Sequence, residues 1–265
     1  MSSLAIDDLS LSPFKNFAIF FSNHSFNLIV GTSGSGKTRL LKALAGLLKT
    51  QEKVRYNRTY IEKISFSKLQ GKIGLVFPEL LSSLSSFTVE DSLKNSLEPF
   101  SYEKKEQEEK IKNMLSFINI TGKRKKYIKD LSAFEQLKIL FAVELIKEPE
   151  VLLLDEPLKK IVSKEEKKSF LKLLEHCYQK GLSIIMTSSS LEDTMLSSFT
   201  QLYILDHGNL ILKGEPLEVL KKDSILNKLG LKIPFMVDLC VKLEYYKMVD
   251  EIILEEEKLI DKIWN

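Results

Sequence analysis

The sequence predicts an α/β fold built on a largely parallel sheet, and three observations carry that prediction. Short apolar runs at Phe26 to Val30, Val151 to Leu154 and Leu182 to Ser188 have the length and composition of buried strands. Segments with helical apolar spacing stand between them, the alternation that gives βαβ units. The first of these runs leads through a glycine-rich turn directly into a helix from Lys37 to about Leu48. With 265 residues, 44% of them hydrophobic, the chain can bury one good core, as one large domain or as a main domain carrying small appendages.

Taken in order, Leu4 to Leu11 and Phe17 to Phe21 alternate like strands and precede the run at Phe26 to Val30. Lys72 to Phe77 reads as another strand. It is followed by the serine-rich LLSSLSSF and by a helix that Thr88 caps. From about 88 to 148 the pattern is helical almost throughout, including the charged YEKKEQEEKIKNMLSFI and the apolar EQLKILFAVELIK. After Pro149 the reading returns to strand and helix, with VLLLD, then KEEKKSFLKLLEHCYQKG ended by Gly181, then LSIIMTS. QLYILDHGNLILKG reads as a hairpin turning at HGN, and Pro216 onward is helical and rich in Leu, Lys and Glu. The organisation expected is a nucleotide-binding domain at 1–215, with a helical subdomain at about 80–148, and a helical interaction segment at 216–265.

Composition excludes several classes. The 39 basic and 36 acidic residues nearly cancel, so a formal charge of +3 gives no reason to expect nucleic acid as a partner. The cluster Lys123-Arg124-Lys125-Lys126 reads either as a solvated face or as a contact for phosphate or lipid headgroups. Cys177 and Cys240 have neither zinc spacing nor the density of a disulfide scaffold, which fits a reducing cytoplasm. MSSLAIDDLS has no basic start with an apolar stretch behind it, and no run approaches the ~20 apolar residues of a membrane span. Work at a membrane would require another chain as anchor.

The chemistry is concentrated in two segments. Gly31-Thr32-Ser33-Gly34-Ser35-Gly36-Lys37-Thr38 satisfies G-x-x-x-x-G-K-[ST] between an apolar strand and a helix. Glycines let successive N–H groups turn inward around phosphates, and the helix start adds partial positive charge. Lys37 would reach the β- and γ-phosphates, and the Thr38 hydroxyl is a ligand for Mg²⁺. An ordinary glycine turn needs neither the Lys-Thr pair nor this strand-to-helix context. Val151 to Leu154 then delivers Asp155 and Glu156 at the C-terminal end of a buried strand, where ligands of α/β sheets collect. Asp155 would hold Mg²⁺ through its water shell, and Glu156 would act as general base toward the attacking water.

These motifs, with a helical insert between them and LSAFEQLK beginning 24 residues before Asp155, resemble the ABC ATPase family over about 1–215. More narrowly, IGLVF followed by TVEDSL, LDHGNLILKGEPLEVL, and the tail LGLKIPFMVDLCVKL resemble the A-component ATPases of energy-coupling-factor transporters. The resemblance implies a P-loop NTPase with a RecA-like core, an N-terminal antiparallel β-subdomain and a helical subdomain. It also implies head-to-tail dimers that sandwich ATP, and a C-terminal tail that helps dimerise.

Several family positions are altered here. Pro78-Glu79 stands where the family carries Gln, and Ser188 where it carries the switch histidine. Val162 stands where Asp is usual, and the signature LSGGQ reads Leu131-Ser132-Ala133-Phe134-Glu135, with a carboxylate placed near a partner's γ-phosphate. Phe14 is the aromatic expected to stack on adenine. The expectation is therefore an ATP- and Mg²⁺-dependent transport ATPase, the degenerate half of a heterodimer. It would lie peripherally at the cytoplasmic face of the membrane, with a second ABC ATPase subunit, an integral membrane coupling subunit and a substrate-binding membrane subunit as partners. The alternative is a soluble ABC-fold regulator, or an inactive ATP-binding partner module.

Overall fold

The computed structural model describes residues 3–254 and 256–264, the last of these by its backbone alone, so both ends of the expected organisation, residues 1 and 265, lie outside the described residues. Two sheets and a set of helices form the body. Strands β1 (Leu4–Leu9) and β2 (Phe17–Phe21) pair antiparallel, and β1 also pairs with β4 (Val54–Tyr56), which continues into β5 (Thr59–Tyr60). The β4–β5 hairpin is not legible in the sequence, because strands of three and two residues carry too few positions to show a period. The second sheet has the order β10-β9-β3-β8-β7-β6. Its members are β3 (Phe26–Val30), β6 (Ile73–Val76), β7 (Val151–Leu154), β8 (Ser183–Ser188), β9 (Gln201–Asp206) and β10 (Asn209–Gly214). All pairings are parallel except β9 with β10.

Strand β3 is buried at all five positions because both faces of its sheet are covered. Phe26, Leu28 and Val30 pack with the helices on one side, while Ile29 packs with Leu40, Leu41 and the first sheet on the other. Helix α1 (Lys37–Leu44) stops short of the Leu48 read from the sequence. Leu47 N–H turns back to Lys42 O (2.9 Å) and Gly46 N–H to Ala43 O (3.0 Å), which satisfies the last carbonyls and closes the helix. The short α2 (Phe66–Gln70) precedes β6, and α3 (Leu81–Leu84) covers the serine-rich stretch.

The long helical reading between 88 and 148 resolves into α4 (Val89–Leu97), α5 (Lys104–Phe117) and α6 (Ala133–Leu145). Thr88 caps α4, accepting from the Asp91 N–H. The helix α7 (Lys164–Gln179) links β7 to β8 in a parallel crossover. Beyond β10 come α8 (Pro216–Leu220), α9 (Asp223–Lys228), α10 (Phe235–Tyr245) and α11 (Glu256–Trp264). Val219, Leu226, Leu231 and Val237 join the main core, whereas Cys240, Val249 and Leu259 form a small cluster of their own. Both cysteines are buried free thiols.

Because the pairings are parallel, the C-terminal ends of β3, β6, β7 and β8 open at one edge. Strand β8 separates β3 from β7, so the glycine turn after β3 and the acidic pair after β7 meet across the end of β8.

Candidate functional site

Each of the four strands delivers one group to that edge. The turn after β3 is tied to β8 by Gly31 N–H to Ser188 O (3.3 Å) and to the β9–β10 turn by Gly208 N–H to Ser35 O (2.9 Å). A Cβ at Gly31 would lie 2.2 Å from the Leu205 carbonyl oxygen, so no larger residue fits between the turn and β9. No side chain caps the start of α1, which leaves its first N–H groups for an anion. Asp155 follows β7, its N–H bonded to Val76 O (3.0 Å), and Pro78 and Glu79 follow β6.

Ser33, Gly34, Gly36, Lys37 and Thr38 line a cavity of about 440 Å³ together with Asp155 and Glu156. Pro13, Arg39, Pro78, Glu79, Lys159 and Lys160 complete it. Within it, Thr38 Oγ1 donates to Asp155 Oδ2 (2.7 Å), and Thr187 Oγ1 donates to Asp155 Oδ1 (2.9 Å) while accepting from Glu156 N–H (2.9 Å). Lys37 is 5% exposed, and its Nζ donates to Gly31 O (2.6 Å) and Thr32 O (3.0 Å) and pairs with Glu156 Oε1 (3.2 Å). Lys159 Nζ meets the other oxygen of the same carboxylate at 2.6 Å. Glu156 itself sits at φ 41, a left-handed conformation that a non-glycine residue holds only when its surroundings fix it. Burial pushes its carboxyl up, but the Lys159 and Lys37 ammoniums together outweigh burial and hold it below the usual carboxylate range.

Thr32 and Ser35 serve the turn rather than the cavity wall: Ser35 N–H donates to Thr32 O (3.2 Å). The Ser35 hydroxyl is buried with no hydrogen-bond partner among the described residues. That orphaned group and the uncapped start of α1 give the turn the donor chemistry of a phosphate cradle. The Thr38 and Asp155 oxygens suit Mg²⁺, which is commonly held by one or two carboxylates together with substrate phosphates. Among the described residues no cluster of three His, Cys, Asp or Glu could form an all-protein cage.

Phe14 does not join this group. The sequence placed it against adenine, but it is 1% exposed, packed on Phe17 at a centroid distance of 4.8 Å, and has no open face to stack on a ligand. Its neighbour Pro13 lines the cavity instead.

The altered positions are also accounted for. Pro78 has no N–H to donate. Glu79 pairs with Lys42 of α1 at 2.9 Å. Ser188 is 4% exposed, and its hydroxyl donates to Asp193 Oδ2 (2.6 Å) and accepts from Ser190 N–H (2.9 Å), so it faces a network behind the cavity. Glu135, read from the sequence as a carboxylate near a partner's γ-phosphate, closes a capping box with Ser132 at the start of α6 and pairs with Lys123 within this chain. The Lys123 ammonium holds its carboxyl below the ordinary value against the effect of burial. Val162 is 97% exposed.

Sequence reasoning missed Thr187, Lys159 and Lys123. Thr187 is recognisable only once β8 is known to lie beside β7. Lys159 follows Glu156 by three residues, a spacing that one tight turn brings together through Lys159 N–H to Glu156 O (3.1 Å).

Comparisons with known proteins agree with this geometry. A model of the ABC transporter family matches residues 14–159. The energy-coupling factor transporter ATP-binding protein EcfA3 of Oenococcus oeni is 29% identical over 242 residues, covering 89% of this chain and 83% of that protein. EcfA2 of Streptococcus thermophilus is 26% identical over 244 residues, covering 88% and 86%. Among solved structures, cbiO1 of Clostridium perfringens, part of the ABC transporter complex cbiONQ, superposes with a TM-score of 0.75 at 23% identity, covering 89% of this chain and 98% of that one.

Proposed function

The chain belongs to the ABC transporter family, whose model covers the turn after β3 and the acidic pair after β7, and on that premise we propose that it is an ATP-binding subunit of an energy-coupling-factor-type membrane transporter. One observation carries the reading: Lys37, Thr38, Asp155 and Glu156, from segments 117 residues apart, share one cavity and one hydrogen-bonded network.

In this reading the turn from Gly31 to Thr38 holds the phosphates of ATP, and Thr38 with Asp155 holds Mg²⁺. The bound Mg-nucleotide supplies the scissile phosphoanhydride and the cation that neutralises its oxygens. Lys37 exchanges the Gly31 and Thr32 carbonyls for phosphate oxygen, the stronger charge-assisted partner. Glu156 takes the proton of the attacking water, which requires one of its oxygens to be freed from the two lysines.

The same geometry supports slow turnover. Pro78 offers no donor and Ser188 is spent on Asp193, so two positioning contacts of the reaction are lost, each typically worth one to a few powers of ten. The chain is therefore proposed as the degenerate half of a heterodimer with a second ABC ATPase subunit. It would sit at the cytoplasmic face of the membrane beside an integral coupling subunit and a substrate-binding subunit. Among the described residues no helix is long and apolar enough to cross a membrane. Residues 1–215 would form the nucleotide-binding domain and 216–265 the interaction segment.

The test is a pull-down from native membranes with identification of the co-purifying chains, followed by nucleotide calorimetry and ATPase assay of the isolated chain and of the complex. Isolated chain hydrolysing ATP as fast as ordinary transporter ATPases would end the degenerate-half reading. Absence of Mg-nucleotide binding in both samples would end the whole proposal.

A further inference from the structure

We propose that Lys159 determines the specificity of this site for a nucleoside triphosphate over a diphosphate, with Lys159 as the cation that meets the outermost phosphate; the inference rests on the nucleotide-binding reading above. Three observations lead to it. First, the two oxygens of Glu156 are shared between two ammoniums, Lys37 at 3.2 Å and Lys159 at 2.6 Å. Lys159 is thus one carboxylate away from the lysine that a P-loop places at the β- and γ-phosphates. Second, Lys37 is 5% exposed, at the root of the cavity, whereas the Lys159 side chain is 65% exposed at its mouth. A phosphate chain growing outward from the turn reaches Lys37 before it reaches Lys159. Third, the groups at the ends of β6 and β8 cannot take the role, and of the exposed cations in the lining, Arg39, Lys159 and Lys160, it is Lys159 whose ammonium pairs with Glu156. Pro78 lacks a donor, the Ser188 hydroxyl is held by Asp193 and Ser190, and Glu79 is an anion already paired with Lys42.

The exchange is favourable on general grounds. A half-exposed lysine-carboxylate pair contributes little, and the lysine stem is flexible, so Lys159 can leave Glu156 at small cost for a dianionic phosphate oxygen. Its departure also frees Glu156 Oε2, the oxygen that the pair occupies. A diphosphate, one unit shorter, engages Lys37 and leaves Lys159 on Glu156. The same residue then both recognises the third phosphate and makes release of the carboxylate conditional on it.

The experiment is calorimetry on the purified chain with Mg²⁺ and, in turn, a non-hydrolysable ATP analogue and ADP. Lys159→Ala is expected to weaken the triphosphate by about tenfold, the worth of one partly solvated charge-assisted hydrogen bond, and to leave ADP within about twofold. Lys159→Arg keeps the cation and is expected to keep most of the preference. Lys168→Ala on the exposed face of α7 removes the same net charge outside the cavity and is expected to change neither affinity. Equal weakening of both nucleotides by Lys159→Ala, no change in either, or the same loss from Lys168→Ala would each overturn the inference while leaving the nucleotide-binding reading intact. Wild-type chain that binds neither nucleotide would overturn both.

Discussion

Thr187 is the residue through which the site can be weakened without touching any group expected to meet a ligand. Its hydroxyl donates to Asp155 Oδ1 at 2.9 Å and accepts from Glu156 N–H at 2.9 Å, and the residue is 1% exposed. Thr187→Val keeps the shape and removes both bonds. The Glu156 N–H is then left without its acceptor in a half-buried position, at a cost of up to about 1–3 kcal/mol, and the hydroxyl's bond to the Asp155 carboxylate, worth about 1.5–3 kcal/mol in its own right, is lost. Because the two losses share one hydroxyl they do not add fully, and about 2–4 kcal/mol is the expected destabilisation. For a chain of this size each kcal/mol lowers Tm by roughly 2–4 °C, so thermal unfolding should begin several degrees earlier. Thr187→Ser keeps the hydroxyl and should cost only the buried methyl, about 0.8 kcal/mol. Paired melts of the two variants by circular dichroism separate the bonds from the packing. Valine and serine variants melting within about 2 °C of each other would refute the claim that this hydroxyl ties the acidic pair to β8.

Three further outcomes are expected. Glu90 is 5% exposed between Arg124 at 2.9 Å, Lys125 at 2.6 Å and Lys94; its hydrogen bonds to Arg124, then to Lys125 and Lys94, hold its carboxyl far below the ordinary value. A carboxylate depressed in the folded state stabilises above its unfolded pKa of ~4.3, and that stability is lost as pH falls through the folded value. Glu90→Gln should therefore cost about 1.5–3 kcal/mol at pH 7 in urea unfolding, the partner cations being solvated enough to soften the loss, with the gap to wild type narrowing below pH ~4.3. A gap that widens on acidification would contradict the sign. Gly31→Ala sets a Cβ 2.2 Å from backbone oxygen and should cost at least ~1–3 kcal/mol by the same measurement, with weaker nucleotide binding; wild-type stability would show that the turn has room to move. Lys37→Ala should lower affinity for Mg-ATP by about tenfold or more in calorimetry, and an unchanged affinity would remove the phosphate site from this cavity.

How much of this was legible follows from the distance over which each feature is encoded. The glycine turn with Lys37 and Thr38, and the apolar strand ending in Asp155 and Glu156, are local patterns, so residue type and order sufficed to find them. The parallel sheet was legible because β3, β7 and β8 are buried on both faces and read as continuous apolar runs. Thr187 and Lys123 were not legible, since their roles depend on which strand lies beside which and on where a loop returns to a helix start. Phe14 failed for a related reason: an aromatic near a glycine-rich loop has the same local signature whether it faces ligand or core, and only the packing against Phe17 decides.

The altered family positions show what a sequence comparison alone leaves out. Counting Pro78, Ser188 and Glu135 as losses assumes that each position still points where the ligand would be. Ser188 instead belongs to a chain of bonds through Asp193 to Lys167, and Glu135 to a capping box with Ser132 and an ion pair with Lys123. These side chains stabilise the protein where they stand, so a histidine put back at 188 would first have to displace Asp193 from a 4% exposed site. Reversal of one position would then cost stability before it returned a phosphate contact, as overpacking of a buried site does. In the proposed reading, loss of catalytic contacts and gain of structural ones are coupled in this chain, whereas Lys37, Thr38, Asp155 and Glu156, the residues proposed to grip a triphosphate, remain joined through the Thr38–Asp155 hydrogen bond and the Lys37–Glu156 ion pair.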